Sequence, residues 1–213
     1  ELLDRLELIS PNNTFFTDLR KTILNNDQFA LFRLLQQQTS SQLVEGLRKY
    51  KDNTEFNADC FSRGQLESKL WLVKELQKTK VDLGTVFLCA GWYATLATML
   101  FESSITVDKI RSFDIDDTCR DIAETFNKPW VKDNWKFKSS TKDIMDINYE
   151  FERYEVIRAD GTTCPLDDTP DTIINTSCEH IENFEEWYAK IPVGKLVILQ
   201  SNNFFDVDEH VNC

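Results

Sequence analysis

The sequence predicts an α/β fold: a mostly parallel sheet covered by helices on both faces, preceded by an N-terminal helical cap. Three observations carry that expectation. From Val81 onward, short apolar runs alternate with helical patterns, which is the grammar of a parallel sheet. The run Thr85-Val86-Phe87-Leu88-Cys89 turns at Gly91 into a helical stretch, and about twenty residues on a second strand, Ile110-Arg111-Ser112-Phe113-Asp114-Ile115-Asp116, ends in acids. Residues 1–80 carry no strand signal. The expected division is therefore a helical cap over 1–80 and a sheet domain over 81–213.

In chain order, Ser10-Pro11-Asn12-Asn13-Thr14 is a break. Asn26 or Asp27 can cap a helix through Phe29, Phe32 and Leu35, because their side-chain oxygens accept from free first-turn amides. Leu43, Val44 and Leu47 continue at helical spacing until Lys51-Asp52-Asn53-Thr54 interrupts. Ser62 caps the next helix, 63–78, with Leu66, Leu70, Val73 and Leu76 as its buried stripe. The sheet domain then reads as strand one (85–89), a helix (94–101), strand two (110–115), and a helix (118–126) capped by Asp117. A less regular stretch follows, 129–149, with a possible strand at 135–138. After it come a strand (172–176), a helix (182–190) with Phe184, Trp187 and Tyr188 for the core, and a last strand (195–200) after the Pro192-Val193-Gly194 turn.

The chain has 213 residues, 41% hydrophobic and 28% charged, which is enough to bury one large core. Its 24 Lys and Arg against 36 Asp and Glu leave a formal net charge of −12. An acidic surface repels a phosphate backbone, so no large nucleic-acid footprint is expected and a small-molecule partner is preferred. The six cysteines are scattered, without a C-x-x-C pair. Neither a disulfide framework nor zinc spacing is present, so reduced thiols, no metal site and a cytoplasmic location are expected. No apolar run approaches the roughly 18 residues of a membrane span.

The turn after strand one and the acids after strand two carry the chemistry. In an open parallel sheet, ligands bind outside the carboxyl ends of the strands. Gly91 stands where the backbone must approach a ligand closely or adopt a positive φ. A carboxylate at the second strand end accepts hydrogen bonds from ribose hydroxyls. Asp114 is the first candidate, with Asp116 and Asp117 as alternatives. His180, with Glu179, lies in the loop after the 172–176 strand; imidazole as a group titrates near neutrality, which suits a general base. Cys178 would be a nucleophile only beside a base. His210 has no context that gives it a role.

These pieces together resemble a class I, Rossmann-like S-adenosylmethionine-dependent methyltransferase over residues 81–213. Thr85 to Ala94 resembles the family's first motif, which places Ala90, Gly91 and Trp92 beside the methionine part of the cofactor. Phe113-Asp114-Ile115-Asp116 is similar to the second motif, in which Asp114 holds the ribose and Ile115 follows it. Ser140-Thr141-Lys142-Asp143-Ile144 resembles the third, where Asp143 faces the adenine amino group and Ile144 its ring. Thr172 to Ile181 looks like the fourth strand and its substrate-facing loop, with Asn175 at the cofactor and His180 as the catalytic candidate. In the family the helix before the first strand closes over the cofactor carboxylate, a task for Arg63 or Lys69 here. Two departures stand out: Cys89 replaces the first-motif acid, and the glycine triplet is reduced to Gly91. The family's C-terminal helix and hairpin are missing, as in a fragment.

The resemblance implies S-adenosyl-L-methionine as cofactor and methyl transfer to a small-molecule acceptor. Two other readings compete. A nicotinamide-dependent oxidoreductase needs a second glycine against the diphosphate, where Trp92-Tyr93 stands. A non-catalytic methyltransferase-like binding module would explain the missing first-motif acid.

Overall fold

The computed structural model describes residues 46, 49, 50, 56–158, 160–202, 210 and 211. The helical stretches expected between 26 and 47 lie outside the described residues, apart from Gly46. The chain divides into two compact units, Glu1–Phe56 and Asn57–Cys213. In the first, Gly46, Lys49 and Tyr50 are helical, and the rings of Tyr50 and Phe56 stack at 5.9 Å.

The second unit opens with a 3-10 turn, Ala58–Phe61, and helix α1, Arg63–Thr79. Ser62 caps α1 as expected, its hydroxyl accepting from the Gln65 amide at 3.4 Å. The buried face is Lys69, Leu72, Val73 and Leu76: Val73 and Leu76 are buried as expected, whereas Leu66 is half-buried and Leu70 exposed. Leu72, Val73 and Leu76 belong to the main core under the sheet, so α1 goes with the sheet rather than with the residues before it.

Seven strands follow among the described residues: β1 Thr85–Cys89, β2 Lys109–Asp114, β3 Phe137–Thr141, β4 Glu152–Ile157, β5 Thr163–Asp168, β6 Thr172–Asn175 and β7 Leu196–Leu199. Five form one sheet in the order β3-β2-β1-β6-β7, and every pair in it is parallel. Helices α2 (Thr95–Phe101), α3 (Cys119–Phe126), α4 (Lys128–Lys132) and α5 (Phe184–Ala189) lie between strands. The order runs outward from β1 to β3 and then returns to β6 on the other side of β1. The switch point, where such sheets bind ligands, is therefore between β1 and β6.

Buried β1 alternates between two cores, as a strand covered on both faces must. Val86 and Leu88 join Leu72, Leu76, Leu96, Leu100, Ile110 and Ile174 on one face. Phe87 and Cys89 join Phe113, Ile173, Tyr149 and Trp187 on the other. Trp187 is the core aromatic of α5; Phe184 is half-buried, and Tyr188, expected inside, is 48% exposed. Gly84 makes the turn into β1 at φ 55°, and a Cβ there would lie 2.4 Å from the Asp171 carboxylate that accepts the Thr85 amide at 2.8 Å.

Strands β4 and β5 form an antiparallel hairpin that the sequence reading did not anticipate. Val156 is its buried apolar residue, and a set of buried charges ties it to the sheet. Asp168 accepts from Arg111 Nε at 2.7 Å, from Lys109 Nζ at 3.1 Å and from the Tyr154 hydroxyl. Arg111 is 2% exposed and also donates to the Trp135 carbonyl at 2.6 Å. Glu152 takes Lys142 Nζ at 2.5 Å and the Asn148 amide at 2.8 Å. Both carboxylates are buried, and each is matched by donors, which is what permits a charge to stay there. No helix among the described residues is long and apolar enough to cross a membrane.

Candidate functional site

The loop between β1 and α2 is held by the carboxylate that ends β2. Asp114 Oδ2 accepts the Trp92 amide at 2.7 Å, and Oδ1 accepts the Asp116 amide at 3.1 Å. Burial pushes the Asp114 carboxyl above its ordinary value, and those backbone donors pull part of the way back. Each carboxylate oxygen keeps lone-pair capacity, since an ionised carboxylate offers about four acceptor sites. Ile115 beside it is 72% exposed. Of the three acids considered, Asp116 rather than Asp117 supports the start of α3, accepting from the Thr118 amide at 2.9 Å and its hydroxyl at 2.8 Å. Those bonds hold its pKa below the ordinary value.

The backbone of the β1 loop departs from the sequence expectation in an informative way. Ala90, Trp92 and Ala94 take φ of 49°, 49° and 51°, three left-handed residues at alternate positions. Such a succession is what a G-x-G-x-G sequence would supply without strain; here no glycine occupies any of the three. Gly91, expected to be the special residue of the turn, is not left-handed. It is required because a Cβ would stand 2.2 Å from Ser112 Oγ and 3.2 Å from Leu88 Cγ. The Trp92 and Tyr93 rings stack at 4.9 Å, and Tyr93 is buried.

At the same strand ends, Cys89 occupies an apolar, aromatic corner. Its thiol lies 3.5 Å from the Tyr149 hydroxyl, which donates to the Ile144 carbonyl at 2.9 Å and accepts from Trp187 Nε1 at 2.6 Å. Burial pushes the Cys89 thiol up to about 12, so this position carries no charge at neutral pH. Asp143 caps the short turn Ile144–Asp146, accepting the Met145 amide at 2.8 Å, and Ile144 is buried against Tyr149 and Phe113. Asn175, fully buried at the end of β6, accepts the Ser177 amide at 2.8 Å, while its Nδ2 has no partner. A buried donor without a partner is costly, and this one lies at the end of β6 beside the switch point.

The Arg63 side chain is 77% exposed and pairs with Glu67 at 2.8 Å. The inward cation of α1 is Lys69, which is 9% exposed and donates to Gln65 Oε1. Burial lowers its pKa, and the charges of Asp59 and Glu179 lie close enough to offset part of that.

The loop after β6 forms a 3-10 turn, Cys178–His180. Burial pushes the Cys178 thiol up to about 11, which removes it as a nucleophile. His180 is on the rim, with Nε2 4.0 Å from Glu179 Oε1, beyond hydrogen-bond reach. His210, whose sequence context carries no role, packs against it edge-on with ring centroids 4.8 Å apart. A cavity of about 630 Å³ opens beside this loop, lined among others by Cys178, Glu182, Phe184, Leu199 and Gln200. That is a volume in the range of small-molecule sites.

No protein-family model matches the sequence, and no curated protein does. Solved structures do match in fold. The small RNA methyltransferase HEN1 superposes with a TM-score of 0.51 at 11% identity, over 74% of this chain and 21% of that one. An S-adenosylmethionine-dependent methyltransferase from Clostridium acetobutylicum gives 0.43 at 12% identity, over 66% of this chain and 53% of that one. A sarcosine dimethylglycine methyltransferase assigned in Galdieria sulphuraria gives 0.43 at 17%, over 59% and 42%. The HEN1 superposition and the parallel β3-β2-β1-β6-β7 sheet give the chain the α/β, Rossmann-like methyltransferase fold. It spans about half the length, or less, of these three solved chains.

Proposed function

We propose that this chain binds S-adenosyl-L-methionine at the β1–β2 strand ends and carries the cofactor side of a methyltransferase site. The observation that carries the reading is the Asp114–Trp92 bond, which fixes three alternate left-handed residues at the switch point of the sheet. Strained backbone of this kind persists where the surroundings over-determine it, and that is typical of ligand loops. Asp114 would hold the ribose hydroxyls, Asn175 Nδ2 would donate to the ligand, and Ala90 and Trp92 would flank the methionine part. Lys69 replaces Arg63 as the cation for its carboxylate.

The cofactor supplies an activated methyl group for in-line displacement. The protein's task is then alignment of an acceptor and removal of its proton where needed. The loop Cys178–His180 and the adjoining cavity are the acceptor side, and the cavity's volume supports a small molecule. A diphosphate cofactor fits less well, because Trp92 stands where a second glycine would let the phosphates approach. One observation favours the non-catalytic alternative: neutral, buried Cys89 gives no charge to an ammonium partner. Calorimetry of the full chain with S-adenosylhomocysteine, beside a fluorescence titration with NADH, tests the proposal. Binding of the first and not the second is expected; the reverse, or neither, overturns it.

A further inference from the structure

The two histidines of the chain lie thirty residues apart in sequence and meet on one side of a buried carboxylate. Glu179, His180 and His210 each offer one donor atom, and these atoms all lie within 4.8 Å of one another. His210 is brought there by backbone: the Val211 amide donates to the Glu179 carbonyl at 2.8 Å. Glu179 is itself fixed in place. Its Oε1 accepts from Asn202 Nδ2 at 2.6 Å, while Oε2 is buried with no hydrogen-bond partner. Its side chain is only 9% exposed, and the Lys69 charge nearby offsets part of the cost of burying it. Oε1, which takes the Asn202 bond, is the oxygen that lies 4.0 Å from His180 Nε2.

We propose that Glu179, His180 and His210 form a site for a first-row transition-metal dication. Two imidazoles and a carboxylate favour such an ion over Mg²⁺ or Ca²⁺, which prefer all-oxygen shells. Donors around a tetrahedral zinc stand about 3.4 Å apart, so side-chain rotations closing up to about 1.4 Å bring this set to bonding distance. Three protein ligands leave coordination positions for an exogenous oxygen or nitrogen donor. The Asn202 bond orients the carboxylate, as outer-shell groups do around metal ligands. The site rests on this geometry alone. Only its place on the acceptor side rests on the proposed function, and there it makes His180 a ligand in place of the general base expected from sequence.

The test uses the untagged full chain without cofactor. Dialysis against Zn²⁺, and separately Co²⁺, is followed by metal quantification and, for Co²⁺, the visible absorption spectrum. One ion per chain is expected, with a spectrum free of thiolate charge-transfer bands and no displacement by millimolar Mg²⁺. Glu179→Gln and His210→Ala are expected to weaken binding on the order of 100-fold, and Asn202→Ala about 10-fold. Circular dichroism and the urea midpoint of each variant report whether it is folded. Folded variants that bind as tightly as the wild type overturn the proposal, as does a thiolate band or a chain that retains no ion. Because no cofactor is present, these results stand apart from the S-adenosylhomocysteine titration.

Discussion

Replacing Gly91 by alanine separates two reasons for a glycine in the β1 loop. Its φ is outside the left-handed region, so alanine meets no backbone strain, and a narrower unfolded ensemble alone would stabilise by about 0.4–1 kcal/mol. The new methyl, however, would sit 2.2 Å from Ser112 Oγ, inside a packed sheet. Overpacking of that kind costs about 1–3 kcal/mol, so the net expectation for Gly91→Ala is a loss of roughly 1–2 kcal/mol. Ser112 Oγ is buried and has no hydrogen-bond partner, so Ser112→Ala sacrifices no bond and is expected within about 1 kcal/mol of neutral. In the double variant the methyl at 91 takes the space of the hydroxyl, leaving only Leu88 at 3.2 and 3.3 Å to adjust. The coupling energy is expected at about 1–2 kcal/mol in favour of the pair. Urea unfolding of the four proteins at equal m-values measures it. The Cβ would point at Ser112, so affinity for S-adenosylhomocysteine should return with stability. Additive effects, within about 0.5 kcal/mol, would refute the packing explanation of Gly91.

Other consequences follow from the same contacts. Ala94→Gly relieves a left-handed residue at the start of α2 and is expected to raise stability by about 0.5–1 kcal/mol, read as a higher urea midpoint. Asp168→Asn leaves Arg111 buried without its counter-charge and should cost about 3 kcal/mol. Although burial raises it, the hydrogen bonds of Tyr154 and Arg111 and the charge of Arg111 leave the Asp168 pKa below its ordinary 3.8. Its contribution is therefore complete above that value and lost as pH falls through the folded one; the variant's acid limb of stability should be flatter there. Asp114 has the opposite sign: its ionised form costs stability above its raised pKa, and protonation relieves that cost. If the carboxylate holds the ribose, affinity for S-adenosylhomocysteine should fall on acidification at a pH above 3.8, and titrations across an acidic series check this.

The parallel sheet was legible because β1 is a nearly continuous apolar run, Thr85–Cys89, and β2 and β6 are short strands bounded by acids, turns and helix caps. The hairpin was not, because Glu152–Ile157 buries only Glu152 and Val156, and a set of buried charges ties it to the sheet. Its one signal was the turn residue pair Asp160-Gly161 before the run Thr163–Asp168, which favours a tight reversal. On α1, helical spacing gave a stripe but not its rotation: Trp71 and Leu70 face out, and Lys69 faces in. At the site, a carboxylate at the end of β2 was readable from the sequence, but its bond to the Trp92 amide was not. Nor was the left-handed backbone at Ala90, Trp92 and Ala94, since none of these residue types advertises a positive φ. The approach of His210 to His180 goes with a backbone hydrogen bond between Val211 and Glu179, and no spacing rule encodes it.

The central claim is that the strand ends around Asp114 and the left-handed loop hold the cofactor. Amide hydrogen exchange with and without saturating S-adenosylhomocysteine tests it most directly. Slower exchange is expected in peptides covering 90–94 and 114–117, with the 152–168 hairpin unchanged. Unchanged exchange in both of those peptides, or protection confined to the hairpin, would contradict the account.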